Sequence, residues 1–128
     1  MADRLLIDTD VLIDYLRNRA EAVSYLEGLT QSQLVSVVTV AELYAGVREG
    51  AERTKLDEFI RAFEIVPVDR EIAVRGGLYR RDYIKSHNVG LADALIAATV
   101  ELRHAVLVTL NGKHFPMLTN VIVPYQKV

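Results

Sequence analysis

Arg4-Leu5-Leu6-Ile7-Asp8-Thr9-Asp10 is the stretch from which the fold is read. Leu5, Leu6 and Ile7 are an unbroken apolar run, the pattern of a short strand buried on both faces of a parallel sheet. The run passes straight into acid, hydroxyl and acid. In open α/β sheets ligands bind just beyond the carboxyl ends of the strands, so Asp8 stands where such a fold places a site. A plainer role competes with this one: a solvated strand end, with Thr9 or Asp10 capping the next helix.

Downstream, Val11, Leu12, Tyr15 and Leu16 recur at helical spacing as far as Arg17-Asn18-Arg19. Ala22, Val23, Leu26 and Leu29 give a second short helix closed near Gly28. Gln33 to Val38 is β-branched and apolar and predicts a second strand, running into a helix that opens at Thr39-Val40-Ala41-Glu42. Leu56, Phe59, Ile60 and Phe63 share one face of a helix over about Glu52 to Phe63. Ile65 to Val68 predicts a third strand, at a sheet edge because Pro67 has no N–H to offer a ladder. Asp69 caps a long helix over about Arg70 to Ser86, and His87 to Gly90 is a turn. A very apolar helix follows, Leu91 to Arg103, then strands at Ala105 to Thr109 and Val121 to Val123. Strands alternating with helices predict a three-layer α/β/α fold with a mostly parallel central sheet of about five strands. With 128 residues and no linker, repeat or low-complexity segment, a single domain over 1–128 is expected.

Composition narrows the function classes. Half the residues are apolar (51%) and 25% are charged, so the chain is globular rather than disordered. A net charge of -2 excludes a polycation that coats nucleic acid, and confines any such contact to a local basic patch. With no cysteine, thiolate catalysis, disulfides and cysteine-ligated metals are excluded. No apolar run approaches the roughly 18 residues of a membrane span, and charged Asp3 and Arg4 break any signal-peptide pattern. A cytoplasmic protein is expected.

Three carboxylates stand out. Glu42 lies three residues after Thr39, the capping-box spacing in which it reaches back to a backbone N–H. That role still leaves it near the sheet's carboxyl edge. Asp93 is the single charge between Leu91 and Val100. A helix apolar all round is buried, and an unpaired buried carboxylate costs several kcal/mol, so Asp93 needs donors, a cation or a metal. The alternative is a first-turn acid favoured by the helix dipole. If Asp8, Glu42 and Asp93 converge, their all-oxygen donor set suits Mg²⁺ or Mn²⁺, the ions used to hydrolyse phosphodiesters.

Leu6-Ile7-Asp8-Thr9-Asp10-Val11-Leu12-Ile13, Thr39-Val40-Ala41-Glu42-Leu43-Tyr44-Ala45-Gly46, Leu91-Ala92-Asp93-Ala94-Leu95-Ile96-Ala97 and Val108-Thr109-Leu110-Asn111 together resemble the PIN-domain pattern. In particular they resemble the VapC-type toxins of prokaryotic toxin–antitoxin pairs, with the motifs in the family's order over nearly the whole chain. The resemblance implies a metal-dependent endoribonuclease in which Asp8, Glu42 and Asp93 hold the metal, leaving a 3′-hydroxyl and a 5′-phosphate. It implies structured RNA such as transfer or ribosomal RNA as substrate, an antitoxin partner in the groove, and a homodimer. Asn111 falls where many members carry a fourth acid. A neutral amide there weakens a second metal, and Asn111 is expected to orient water or a metal-bound ligand instead. Thr109 is expected to position Asp8 through its hydroxyl, with Thr9 and Thr39 in support.

Other residues are given ordinary roles. Asp10 and Asp14 share a helix face and are expected to be solvated first-turn acids, the alternative being that Asp10 reaches the metal pocket. His114 is expected to be structural or to face RNA. Arg75, Arg80, Arg81 and Lys85, interleaved with Tyr79 and Tyr83, form a solvated face with Asp82 as partner, or else a phosphate-contacting rim. Arg48 and Arg53 are a weaker case of the same kind. Two other functions fit parts of the pattern. In a non-catalytic α/β interaction module the acids are only caps. Asp8-Thr9-Asp10 also resembles the opening of haloacid-dehalogenase-type phosphatases, whose first Asp is a nucleophile, but the later lysine and acid pair of that family has no counterpart here.

Overall fold

The computed structural model describes residues 4–126. Among them the chain forms β1 (Leu5–Ile7), α1 (Thr9–Leu16), α2 (Ala20–Glu27), β2 (Gln33–Ser36), α3 (Val37–Ala45), α4 (Ala51–Ile60) and β3 (Glu64–Val66). Then come α5 (Arg70–His87), α6 (Leu91–Leu102), β4 (Val106–Val108), a 3₁₀ turn at Gly112–His114 and β5 (Val121–Ile122). The strands lie in one sheet in the order β3-β2-β1-β4-β5, and each of these pairings is parallel. β3 is at an edge, as expected, and it ends at Val66, one residue before Pro67.

Strand side chains alternate between faces, and here each face meets helices. Leu5 and Ile7 point into a core shared with Val11 and Leu12 of α1, Leu26 of α2, Leu43 of α3 and Leu56 of α4. Leu6, Leu34, Val66 and Leu107 point the other way, against Ile96, Ala97 and Val100 of α6. The sheet is therefore the middle of three layers. Chain order runs outward from β1 to β2 and β3, then crosses back to β4 on the other side of β1. The carboxyl ends of β1 and β4 thus flank the topological switch point, where open α/β sheets bind ligands.

Local chemistry sets the helix starts, with two departures from the sequence reading. Asp69 caps α5 as expected, its carboxylate accepting from the Ile72 N–H at 2.9 Å. Thr39 does not cap α3. β2 ends at Ser36, whose hydroxyl accepts from the Val38 N–H at 3.0 Å, so Val37 and Val38 are already helical. Ser36 comes first in the chain and takes the cap, which places Thr39 and Glu42 inside the helix and ends the capping-box role of Glu42. At α1 the cap is Asp8 itself rather than Thr9 or Asp10.

Asp10 and Asp14 are not solvated. Asp10 accepts from the Leu110 N–H at 3.1 Å. Asp14 is only 4% exposed; Tyr125 donates to it at 2.8 Å, and Arg19 lies 3.8 Å away. The Arg19 guanidinium also sits over the Tyr125 ring. Because a hydrogen bond to a buried charge stabilises by roughly 1.5–3 kcal/mol, Tyr125→Phe is expected to lower stability by about 2 kcal/mol in urea unfolding. A change within about 0.5 kcal/mol would mean that this bond is unimportant to the fold. Among the described residues no helix is long and apolar enough to cross a membrane.

Candidate metal centre

Asp8 lies at the centre of the site, just past β1 and 6% exposed. Its two oxygens are held separately. One accepts from the Thr9 N–H at 2.8 Å and the other from the Thr109 hydroxyl at 2.8 Å. Parallel pairing of β1 with β4 makes the second bond possible, since it sets Ile7 beside Val108 and so brings Asp8 next to Thr109. Thr109, fully buried, also accepts from the Asn111 N–H at 3.1 Å.

Thr9 links Asp8 to Glu42. Its hydroxyl lies 2.7 Å from a Glu42 oxygen and 3.0 Å from the Thr39 hydroxyl. A hydroxyl has one proton, which the carboxylate takes, so Thr39 donates to the Thr9 oxygen. Helical side chains lean toward the helix N-terminus, and the N-terminus of α3 is at the sheet's carboxyl edge. That lean carries Glu42, itself solvent-exposed, back to Thr9.

Asp93 enters from the first turn of α6, half-buried, and makes no cap bond there. One of its oxygens lies 3.2 Å from Nδ1 of His114, and Nδ2 of Asn111 is 3.3 Å from Nε2 and 3.4 Å from Nδ1 of the same ring. Sequence reading gave His114 no part near the acids. Its link to Asp93 depends on the turn after β4, and no motif in the sequence signals it.

Burial raises the carboxyls of this cluster. Burial foremost, and then Asp10, push the Asp8 carboxyl up to about 7, against the pull of Thr109 and the Thr9 N–H, and Asp93 adds to the rise. Burial also raises Asp93, with His114 pulling it back. Three of the basic residues read as a possible rim are paired elsewhere. Arg75 is taken by Glu101 at the opposite end of α6 from Asp93, Arg81 by Asp82, and Arg53 by Glu49 and Asp57. Among the described residues no three acid or imidazole groups close into a ready-made cage. Mg²⁺ does not require one, because it keeps several waters and commonly uses one or two carboxylates. A buried oxygen donor raised by neighbouring acids fits such an ion.

Thr109→Val tests how Asp8 is held. Losing the hydroxyl is expected to lower stability at pH 8 by about 1–3 kcal/mol, because it also strips the Asn111 N–H of its acceptor. The loss shrinks at pH 5, where Asp8 is protonated. An equal loss at both pH values would show that the charge on Asp8 plays no part.

Beside Glu42 opens a cleft of about 640 Å³ between α1, α3 and α4. Its walls are Ile13, Leu16, Leu43, Val47 and Leu56, and Arg17, Arg48 and Lys55 also line it.

The sequence pattern of the PIN domain matches residues 5–118. The chain belongs to the PIN-domain family. Among VapC-type members, this PIN chain is 40% identical over 124 residues to ribonuclease VapC10 of Mycobacterium tuberculosis, covering 94% of this chain and 92% of that protein. It is 38% identical over 128 residues to ribonuclease VapC19 of the same organism, covering 94% and 98%. Its fold superposes on a chain of a toxin–antitoxin complex from Klebsiella pneumoniae with a TM-score of 0.83 and 29% identity, covering 96% of this chain and 99% of that one.

Proposed function

We propose that this PIN domain is a Mg²⁺- or Mn²⁺-dependent endoribonuclease and the toxin of a toxin–antitoxin pair. One observation carries the reading: a buried Asp8, at the switch point of the sheet, is raised to about 7 by burial and by the neighbouring acids Asp10 and Asp93. The relatives named as VapC ribonucleases support RNA as the substrate. Asp8, Glu42 and Asp93 are the residues to hold the ion. A divalent ion held by them would supply a lowered pKa for a bound water and positive charge against the scissile phosphate.

The chain's own residues do the rest. Thr9 and Thr109 fix both oxygens of Asp8, so the buried donor is preorganised. Thr9 and Thr39 draw exposed Glu42 toward the same point. RNA phosphates approach from the Glu42 side, where Arg17, Arg48 and Lys55 offer positive charge. The products are a 3′-hydroxyl and a 5′-phosphate. The same cleft, apolar within and basic among its lining residues, suits an amphipathic antitoxin segment with acidic flanks. A homodimer fits exposed Val74 and Leu78, one turn apart on α5.

The test is cleavage of total RNA by purified, partner-free protein with Mn²⁺ and with EDTA, beside Asp93→Asn. Metal-dependent cleavage of a discrete RNA, lost in the variant, is expected. Cleavage that is the same in both proteins would be contamination and would reject the reading.

A further inference from the structure

We infer that Asn111 and His114 form a positioning relay that fixes the carboxylate of Asp93, and that this, rather than metal ligation, is the task of the amide at position 111. This rests on the metal-binding role proposed above for Asp93.

The geometry gives each group one job. Asn111 Nδ2 carries only donors and lies 3.3 Å from His114 Nε2 and 3.4 Å from Nδ1; Nδ1 faces the Asp93 carboxylate and carries the ring proton toward it, which leaves Nε2 as the nitrogen that accepts from the amide. Nδ1 is the atom 3.2 Å from Asp93, to which it donates. The relay therefore runs from amide to imidazole to carboxylate with every proton assigned. An aspartate at position 111, acceptor-only when ionised, would call for a proton on Nε2 instead. The turn is built for this arrangement. The Asn111 N–H is tied to Thr109, which holds Asp8, and the His114 N–H is tied to the Asn111 carbonyl at 3.1 Å. Phe115, 2% exposed, anchors the end of the turn in the core against α6. One short segment thus supports both Asp8 and Asp93.

Carboxylates that bind metals are themselves held by hydrogen bonds, and removing such a partner commonly weakens metal affinity about 10–100-fold. His114 is 49% exposed at its side chain, so its replacement spares the core. The measurement is Mn²⁺ affinity by calorimetry at one fixed pH on the full chain, with folding checked by thermal unfolding. Saturation kinetics of RNA cleavage is the second readout.

His114→Ala is expected to weaken Mn²⁺ at least about tenfold and to lower kcat by a similar factor, with KM for RNA within about twofold. His114→Asn, which keeps a donor near the Nδ1 position, is expected to recover most of the affinity. Asn111→Asp is expected to weaken Mn²⁺ because it unsettles the tautomer, although it adds an acid. Mn²⁺ affinity that is unchanged or tighter in His114→Ala would overturn the relay, as would His114→Asn behaving no better than His114→Ala. Tighter binding in Asn111→Asp would make position 111 a ligand site and overturn it too. Asp93→Asn separates the layers of the argument: if it binds Mn²⁺ like wild type, the metal reading itself fails and the relay with it.

Discussion

Asp8→Asn is expected to reduce RNA cleavage by on the order of 10³-fold or more, and yet to make the metal-free chain more stable than wild type at pH 8. The first effect follows from removing the buried oxygen charge around which the proposed ion is held. The second follows from the raised carboxyl. Below the ordinary carboxylate range Asp8 is protonated in both folded and unfolded chains and contributes nothing. Between that range and about 7 only the unfolded chain is ionised, so stability falls as pH rises; above about 7 the full penalty is present. Its upper limit is on the order of 4 kcal/mol, shared with the neighbouring acids. An amide at position 8 carries no charge to desolvate. It still accepts from the Thr9 N–H, and asparagine caps a helix as well as aspartate does. Urea unfolding in EDTA across pH 4–9 checks this. The curves of wild type and variant should converge at the acid end and separate at the alkaline end. Added Mn²⁺ should stabilise wild type, by about 2.7 kcal/mol at a hundred times its Kd, and leave the variant unmoved. A variant less stable than wild type at pH 8 would sink the account.

Gly76→Val carries the largest expected loss of stability. Gly76, buried in α5, packs tightly against Leu95 of α6. A Cβ there would stand 2.6 Å from Leu95 Cδ2 and 3.1 Å from Leu95 Cα. Rotating the leucine relieves the first contact, but the backbone atom cannot be rotated away. The helices must separate, at about 3 kcal/mol, the upper part of the range for overpacked sites. Because Leu95 is two residues from Asp93, nuclease activity should fall with it. The next residue is the control. A Cβ at Gly77 meets nothing within 4 Å, so Gly77→Ala should stabilise by roughly 0.5–1 kcal/mol through helix propensity alone. Equal effects at both positions would show that close packing is not what keeps Gly76.

Position along the chain decided what could be read from the sequence. The apolar run of Leu5 to Ile7, the Asp69 cap and the Pro67 edge are local signals, and the sheet formed around them. The start of α3 is local too, but two hydroxyls competed for it, and Ser36 prevailed over Thr39 because β2 stops two residues earlier than its β-branched composition suggests. What was not legible is what depends on distant partners. Asp14 reads as a solvated helix acid until Tyr125, 111 positions away, is folded against it. Arg75 reads as a free cation until Glu101 takes it from the next helix. His114 has no ligand spacing to any other histidine, and only the turn after β4 brings it to Asp93. Asp8, Glu42 and Asp93 were identifiable as anomalous acids. Thr109, expected to hold Asp8 through its hydroxyl, does so, and the supporting Thr9 and Thr39 stand beside Glu42.

The bond between Asp8 and Thr109 spans 101 positions of the chain. A ribosome makes Asp8 first, and Thr109 only after β2, β3, β4 and the six helices α1 to α6 have been translated. Until β4 is made and slots in beside β1, Asp8 lacks the hydroxyl that orders it and Asp93 lacks its histidine. A nascent or prematurely terminated chain that stops short of β4 therefore cannot assemble the site. For a protein proposed to destroy RNA, this topology withholds activity until β4 has been made and has folded beside β1.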